Sequence, residues 1–140
     1  MKQLIFLPIL LIVLALNACG AQPAPAQPVV VNIDPANLPA EIDVATAAAL
    51  KDNPEVVLID VREQSEYDAG HIPGVTLIPL GQVPDRMSEI PKDKTVIVTC
   101  RSGNRSGQAT EFLRQQGYTQ VHNMAGGIQA WQQAGLPVEQ

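Results

Sequence analysis

From about residue 38 onward, short apolar runs rich in β-branched side chains alternate with segments of helical character, and this alternation commits the chain to an α/β fold with a parallel sheet. Val56-Val57-Leu58-Ile59 and Val96-Ile97-Val98 are unbroken rather than alternating, the pattern of strands buried on both faces, so they are expected at the centre of the sheet. Asp43 is placed to cap a helix over 44–51, whose alanines favour helix and which Asn53-Pro54 stops. A second short helix is expected over 63–69, ended by Gly70, then a weak strand at Leu77-Ile78 and a short helix over 83–90 closed by Pro91. The pattern continues with a helix over 106–116 that turns Ala109, Phe112 and Leu113 toward the core and ends at Gly117 as a C-cap. A last strand over 121–123 and a last helix over 128–134 carrying Trp131 complete it. About a hundred residues are involved, enough for one hydrophobic core and too few for two.

The first residues do not belong to that domain. Lys2 is followed by a run over 4–16 that is apolar apart from Pro8, then by Asn17-Ala18-Cys19. The run is shorter than the roughly twenty residues of a membrane-spanning helix and reads as an export signal over 1–18. Leu16-Asn17-Ala18-Cys19 resembles the lipobox of bacterial lipoproteins, which implies that Cys19 becomes the acylated first residue of the mature chain. Several acyl chains on one residue hold a bilayer far more firmly than one. The expected location is therefore outside the cytoplasm, on the cell membrane or outer membrane and facing the periplasm or exterior. Prolines alternate with small residues over 21–28, an extended spacer with nothing to bury, so residues 19–37 read as a lipidated tether and 38–140 as the domain.

Composition excludes several classes. A net charge of −5 without clustered Lys or Arg argues against a nucleic-acid partner, and two cysteines cannot build a disulfide scaffold or a multi-cysteine zinc site. No Gly-x-Gly-x-x-Gly or phosphate loop is present, and neither metal nor cofactor is expected. His71, between Gly70 and Ile72-Pro73, reads as a hydrogen-bonded turn residue, and His122 as a strand residue without ligand partners.

The chemistry gathers where Val96-Ile97-Val98-Thr99 runs into Cys100-Arg101-Ser102-Gly103-Asn104-Arg105-Ser106 and a helix begins. Open α/β sheets leave a crevice at the carboxyl ends of their strands. A tight loop there points successive backbone N–H groups inward, the helix dipole adds partial positive charge, and Arg101 and Arg105 add two full charges. Such a field favours thiolate over thiol, and Gly103 allows the turn, so Cys100 is the candidate nucleophile for an anionic substrate. A cysteine ending a buried strand is also a common small core residue, but packing alone gives no reason for two arginines and a glycine directly after it.

Four separated motifs identify the domain as similar to a single-domain rhodanese: Leu58-Ile59-Asp60-Val61-Arg62-Glu63, Gly70-His71-Ile72-Pro73-Gly74-Val75, the loop 100–106, and Gly117-Tyr118 through Asn123-Met124-Ala125-Gly126-Gly127-Ile128-Gln129-Ala130-Trp131. The resemblance implies a five-stranded parallel sheet flanked by helices on both faces, with Cys100 carrying sulfur as a persulfide. It also implies thiosulfate or a persulfide as donor and a thiol, cyanide or a protein as acceptor, with loop N–H groups from Arg101 to Ser106 stabilising the anion. Arg101 is expected at the donor's oxyanion, and Arg105 either joins it or points back to brace the loop. Asp60 and Arg62 are expected to brace neighbouring loops. Cysteine phosphatases resemble a pattern with five residues between Cys and Arg, whereas Cys100 and Arg105 enclose four, a sulfur-sized pocket. A non-catalytic binding or sensing module and, further off, a phosphatase or arsenate reductase relative are the alternatives.

Overall fold

A computed structural model describes residues 32–140; the expected signal segment 1–18, Cys19 and the tether up to residue 31 lie outside the described residues. Among the described residues no helix is long and apolar enough to cross a membrane. Five strands form one parallel sheet: β1 (Glu41–Ile42), β2 (Val56–Asp60), β3 (Thr76–Leu77), β4 (Thr95–Thr99) and β5 (Val121–Met124), in the order β1-β5-β4-β2-β3. The two unbroken apolar runs lie side by side as β2 and β4, with Val57 opposite Val96 and Ile59 opposite Val98. Every residue of β4 is buried.

Helices cover both faces. On one, α1 (Val44–Leu50) and α4 (Gly127–Gln133) enclose a core built on Ile42, Leu58, Ile97, Met124 and Trp131. On the other, α3 (Asn104–Gln115) packs Ala109 and Leu113 against Val96, Val98 and Val121. The Asp43 carboxylate accepts the Thr46 N–H at 2.8 Å, and Val44, Ala47 and Leu50 recur at helical spacing on the buried side of α1. Gly117, at φ +87°, closes α3: its N–H reaches the Arg114 carbonyl at 3.0 Å and that of Tyr118 reaches Leu113 at 3.1 Å.

The structure differs from the sequence reading in three places that bear on the site and its sheet. Residues 83–90 form no continuous helix; the chain makes single 3₁₀ turns at Leu80–Gln82 and Met87–Glu89 instead. The fifth strand, β1, is two residues long and has no apolar run to announce it; it exists because β5 supplies a pairing edge. α3 begins at Asn104, two residues earlier than expected, so Asn104 and Arg105 belong to its first turn. Ahead of β1, Ile33 and Leu38 pack on the core and the Thr95 hydroxyl donates to the Pro35 carbonyl at 2.8 Å.

Candidate active site

β4 delivers Cys100 to the carboxyl edge of the sheet, and the chain reverses over four residues into α3. Gly103 makes the reversal at φ +96°, a left-handed conformation costly for a side chain, and a Cβ there would sit 3.1 Å from the Gly126 nitrogen. The turn folds back over the sulfur. The Gly103 N–H donates to Cys100 Sγ at 3.1 Å and the Ser106 hydroxyl lies at 3.3 Å. Cys100 is only 1% exposed. Burial pushes its thiol up, but the Ser106 hydroxyl and the backbone N–H groups of Ser106, Ser102 and Gly103 outweigh that and hold it below the ordinary thiol value.

The other side of the loop is tied to α4. The Cys100 carbonyl accepts the Ile128 N–H at 2.8 Å, and the Arg101 carbonyl accepts the Gln129 N–H at 3.1 Å. This approach leaves no room at Gly127, whose φ is +56°: a Cβ would collide with the Cys100 carbonyl oxygen and lie 2.7 Å from that of Arg101. These α4 residues set the loop's position, and the paired glycines Gly126-Gly127 are the only signal of it in the sequence.

The residues expected to bind substrate separate into three groups. Ser102, Gly103 and Ser106 face the sulfur through backbone N–H groups and, for Ser106, the hydroxyl. Arg101 is exposed and lines a cleft of about 360 Å³ beside the loop, with Glu66, Gly70, Ile128, Gln129 and Gln132 among its walls. Asn104 is exposed, and Arg105 is held by Glu66, with Nη1 to Oε2 and Nη2 to Oε1 both at 2.7 Å. Hydrogen bonding from Arg105 is the largest influence on Glu66 and brings its carboxyl down to about 2 against the opposing effect of burial. Glu66 is the residue that sequence reasoning missed; only its place in α2 (Gln64–Asp68) signals it.

Asp60 and Arg62 form a buried pair, 0% and 5% exposed, with Arg62 Nη2 2.7 Å from Asp60 Oδ2. Arg62 also donates to the carbonyls of Glu66 at 3.0 Å and Gly70 at 2.9 Å, which fixes the wall of the cleft. His71 stacks on Tyr67 at 3.7 Å between ring centroids, its Nδ1 lies 3.0 Å from the Tyr67 carbonyl, and its backbone bridges to Glu139. His122 Nδ1 lies 2.7 Å from the Pro39 carbonyl, and burial lowers its imidazole below the ordinary value.

The rhodanese-like domain family matches residues 43–134, and the chain belongs to that family. It is 49% identical over 89 residues to a sulfurtransferase of Allochromatium vinosum, covering 64% of this chain and 83% of the relative. It is 36% identical over 93 residues to the thiosulfate sulfurtransferase GlpE of Pseudoalteromonas translucida, covering 66% of this chain and 89% of the relative. The crystal structure of a rhodanese-related protein from Thermoplasma volcanium superposes with a TM-score of 0.63 at 36% identity, covering 71% of this chain and 96% of that one.

Proposed function

We propose that the protein is a sulfurtransferase that moves sulfane sulfur from thiosulfate or a persulfide to a thiophilic acceptor through a persulfide on Cys100. In this reading the Cys100 thiolate attacks the outer sulfur of thiosulfate. The sulfur–sulfur bond of the donor breaks and sulfite departs with the bonding pair. The new terminal sulfur carries the negative charge and takes over the loop N–H groups that faced Sγ. An acceptor thiolate or cyanide then attacks that terminal sulfur and returns Cys100 as thiolate. Arg101, exposed at the cleft, receives the sulfonate end of the donor.

The observation that carries this reading is the ring of donors on Cys100 Sγ, from Gly103 at 3.1 Å and Ser106 at 3.3 Å, around a buried thiol held below its ordinary value. The named sulfurtransferase relatives support it. Cys100 is the only cysteine among the described residues, so no internal thiol is at hand there to resolve the persulfide, and the acceptor is external. The same reading extends to the N-terminus: export, acylation of Cys19 and a tethered domain outside the cytoplasm, supported by the lipobox-like Leu16-Asn17-Ala18-Cys19. Incubation with thiosulfate followed by peptide-resolved mass measurement tests the chemistry. Gain of one sulfur on Cys100, thiocyanate formation with cyanide and loss of both in Cys100→Ser are expected. No adduct and no thiocyanate would leave an anion-binding module as the better account.

A further inference from the structure

The segment that leads into β1 is fastened to the domain at several points. The Thr95 hydroxyl donates to the Pro35 carbonyl at 2.8 Å, the Gln120 side-chain amide to that of Ala36 at 3.2 Å, and Arg114 Nη2 to that of Ala40 at 3.0 Å. His122 adds a buried tie: it is 4% exposed, and its Nδ1 lies 2.7 Å from the Pro39 carbonyl. A carbonyl only accepts, so Nδ1 carries the proton and the neutral ring leaves Nε2 as an acceptor. That nitrogen is buried and meets no partner among the described residues.

A proton on Nε2 would find no countercharge either. His122 shares a sheet face with its register partner Ile97, and the helices that cover that face, α1 and α4, contain no charged residue. Lys51, just past α1, is paired with Asp52, and Asp43 caps the helix start. Glu41 of β1 stands beside Asn123 on the opposite face and accepts its side-chain amide at 3.0 Å, while Asp34 accepts the Ala36 N–H within its own exposed turn. The charge that does bear on the ring is a cation: Arg114, from α3, donates to the adjacent Val121 carbonyl at 2.6 Å. Burial is the largest influence on the imidazole and lowers it, and Arg114 adds to that against the opposing bond to Pro39.

Backbone hydrogen bonds lead from this segment to the Cys100 loop. The Asn123 N–H donates to the Ala40 carbonyl at 3.0 Å and the Ala125 N–H to that of Ile42 at 2.9 Å. The Gly126-Gly127 turn follows directly and opens α4, whose Ile128 and Gln129 N–H groups hold the carbonyls of Cys100 and Arg101. We infer that His122 is a positioning residue for the Cys100 loop: neutral, it latches residues 33–42 along β5, and its protonation releases them and, through Ala125 and the Gly126-Gly127 turn, slackens the hold of α4 on the loop. The released ring takes up a proton at the ordinary imidazole value of about 6.5, and the latched ring only at a lower one. The latch is therefore complete above about 6.5 and weakens as pH falls below it toward the lowered value. It acts on the position of the loop, whether or not Cys100 carries sulfur.

The test is amide hydrogen exchange in the full chain, resolved residue by residue by NMR and expressed as protection factors at about pH 7.5 and about pH 5.5, either side of the ordinary imidazole value. In the wild type the Asn123 and Ala125 amides should lose roughly tenfold protection at the lower pH, the factor for one unit below that value. The Ile128 and Gln129 amides should lose protection with them, while those of the β2–β4 ladder keep theirs. His122→Asn retains a neutral amide to donate to Pro39 and takes up no proton, so its protection should be the same at both pH values. A merely structural role for His122 predicts no such pH dependence. A wild-type loss no greater than that of His122→Asn overturns the inference, and so does a loss at Asn123 and Ala125 that leaves Ile128 and Gln129 untouched. A loss spread equally over the β2–β4 ladder is global unfolding and overturns it too. If His122→Asn loses its cooperative melting transition, the titration of the His122 ring resonance in the wild type decides: a midpoint well below about 6.5 together with the local loss supports the latch, and one at or above it overturns the latch. Thiosulfate loading of Cys100 is measured separately, and its failure beside a positive exchange result would remove the sulfur-transfer reading alone.

Discussion

Two strand-to-helix junctions of this domain start alike and end differently. β4 passes through Gly103 at φ +96° into α3, and β5 passes through Gly126 at φ +74° into α4. Each left-handed glycine turns the chain sharply and points the first helical N–H groups back toward the sheet. At the first junction those groups face a sulfur atom. At the second they are used by protein, with Ile128 and Gln129 donating to the carbonyls of Cys100 and Arg101. One junction is a site because its orphan donors are kept for a ligand; the other is the scaffold that holds the first in place, and a helix start alone does not distinguish them.

The sharpest way to break this contrast is at the scaffold. Gly127→Ala places a methyl group against the Cys100 carbonyl in a left-handed backbone, and left-handed strain plus overpacking should cost about 2–5 kcal/mol. Denaturant unfolding would measure it, and sulfur loading of Cys100 should fall with it even though Gly127 touches no substrate. A loading level equal to wild type would show that the α4 junction does not position the loop.

A smaller and opposite signature is expected on the site side. Ser106→Ala removes the hydroxyl from Cys100 Sγ while leaving the backbone donors in place. Alkylation of Cys100 at neutral pH should slow about tenfold, the scale of one hydrogen bond to a charged atom, with little change in the melting temperature. A large loss of stability with unchanged thiol reactivity would reverse the assignment of Ser106.

The strand and helix order of this domain is legible in its residues because burial on both faces forces β2 and β4 into unbroken apolar runs, and Asp43 and Gly117 mark helix ends by their own chemistry. Cys100 and its loop are legible for the same reason: glycine, small polar residues and arginines after a buried strand have no packing explanation. β1 and the bracing role of Glu66 are not, because both depend on partners distant in sequence. Glu41–Ile42 become a strand only against β5, and Glu66 meets Arg105 only after α2 and α3 have been brought together. Residues 83–90, read as one short helix closed by Pro91, instead make two separate 3₁₀ turns, a distinction too local for the residue pattern to carry.

The finest contrast lies in how the two sides respond to acid. The ties from α4 are backbone hydrogen bonds and do not titrate, whereas the brace on Arg105 depends on a Glu66 carboxyl brought from 4.5 to about 2. Because the folded value is the lower one, its stabilisation is complete above about 4.5 and is lost as pH falls through 2. Wild-type stability should therefore decline across that window more steeply than that of Glu66→Gln, as followed by thermal melting at stepped pH. Equal slopes would show that the pair contributes nothing to folding.

The central claim is that the loop keeps the sulfur of Cys100 negatively charged, and the pH dependence of its alkylation tests this most directly. Peptide-resolved labelling of Cys100 with iodoacetamide should rise to a plateau with a midpoint below that of free cysteine, about 8.5, and move upward in Ser106→Ala. A midpoint at or above that of free cysteine, unmoved by that substitution, would contradict the account.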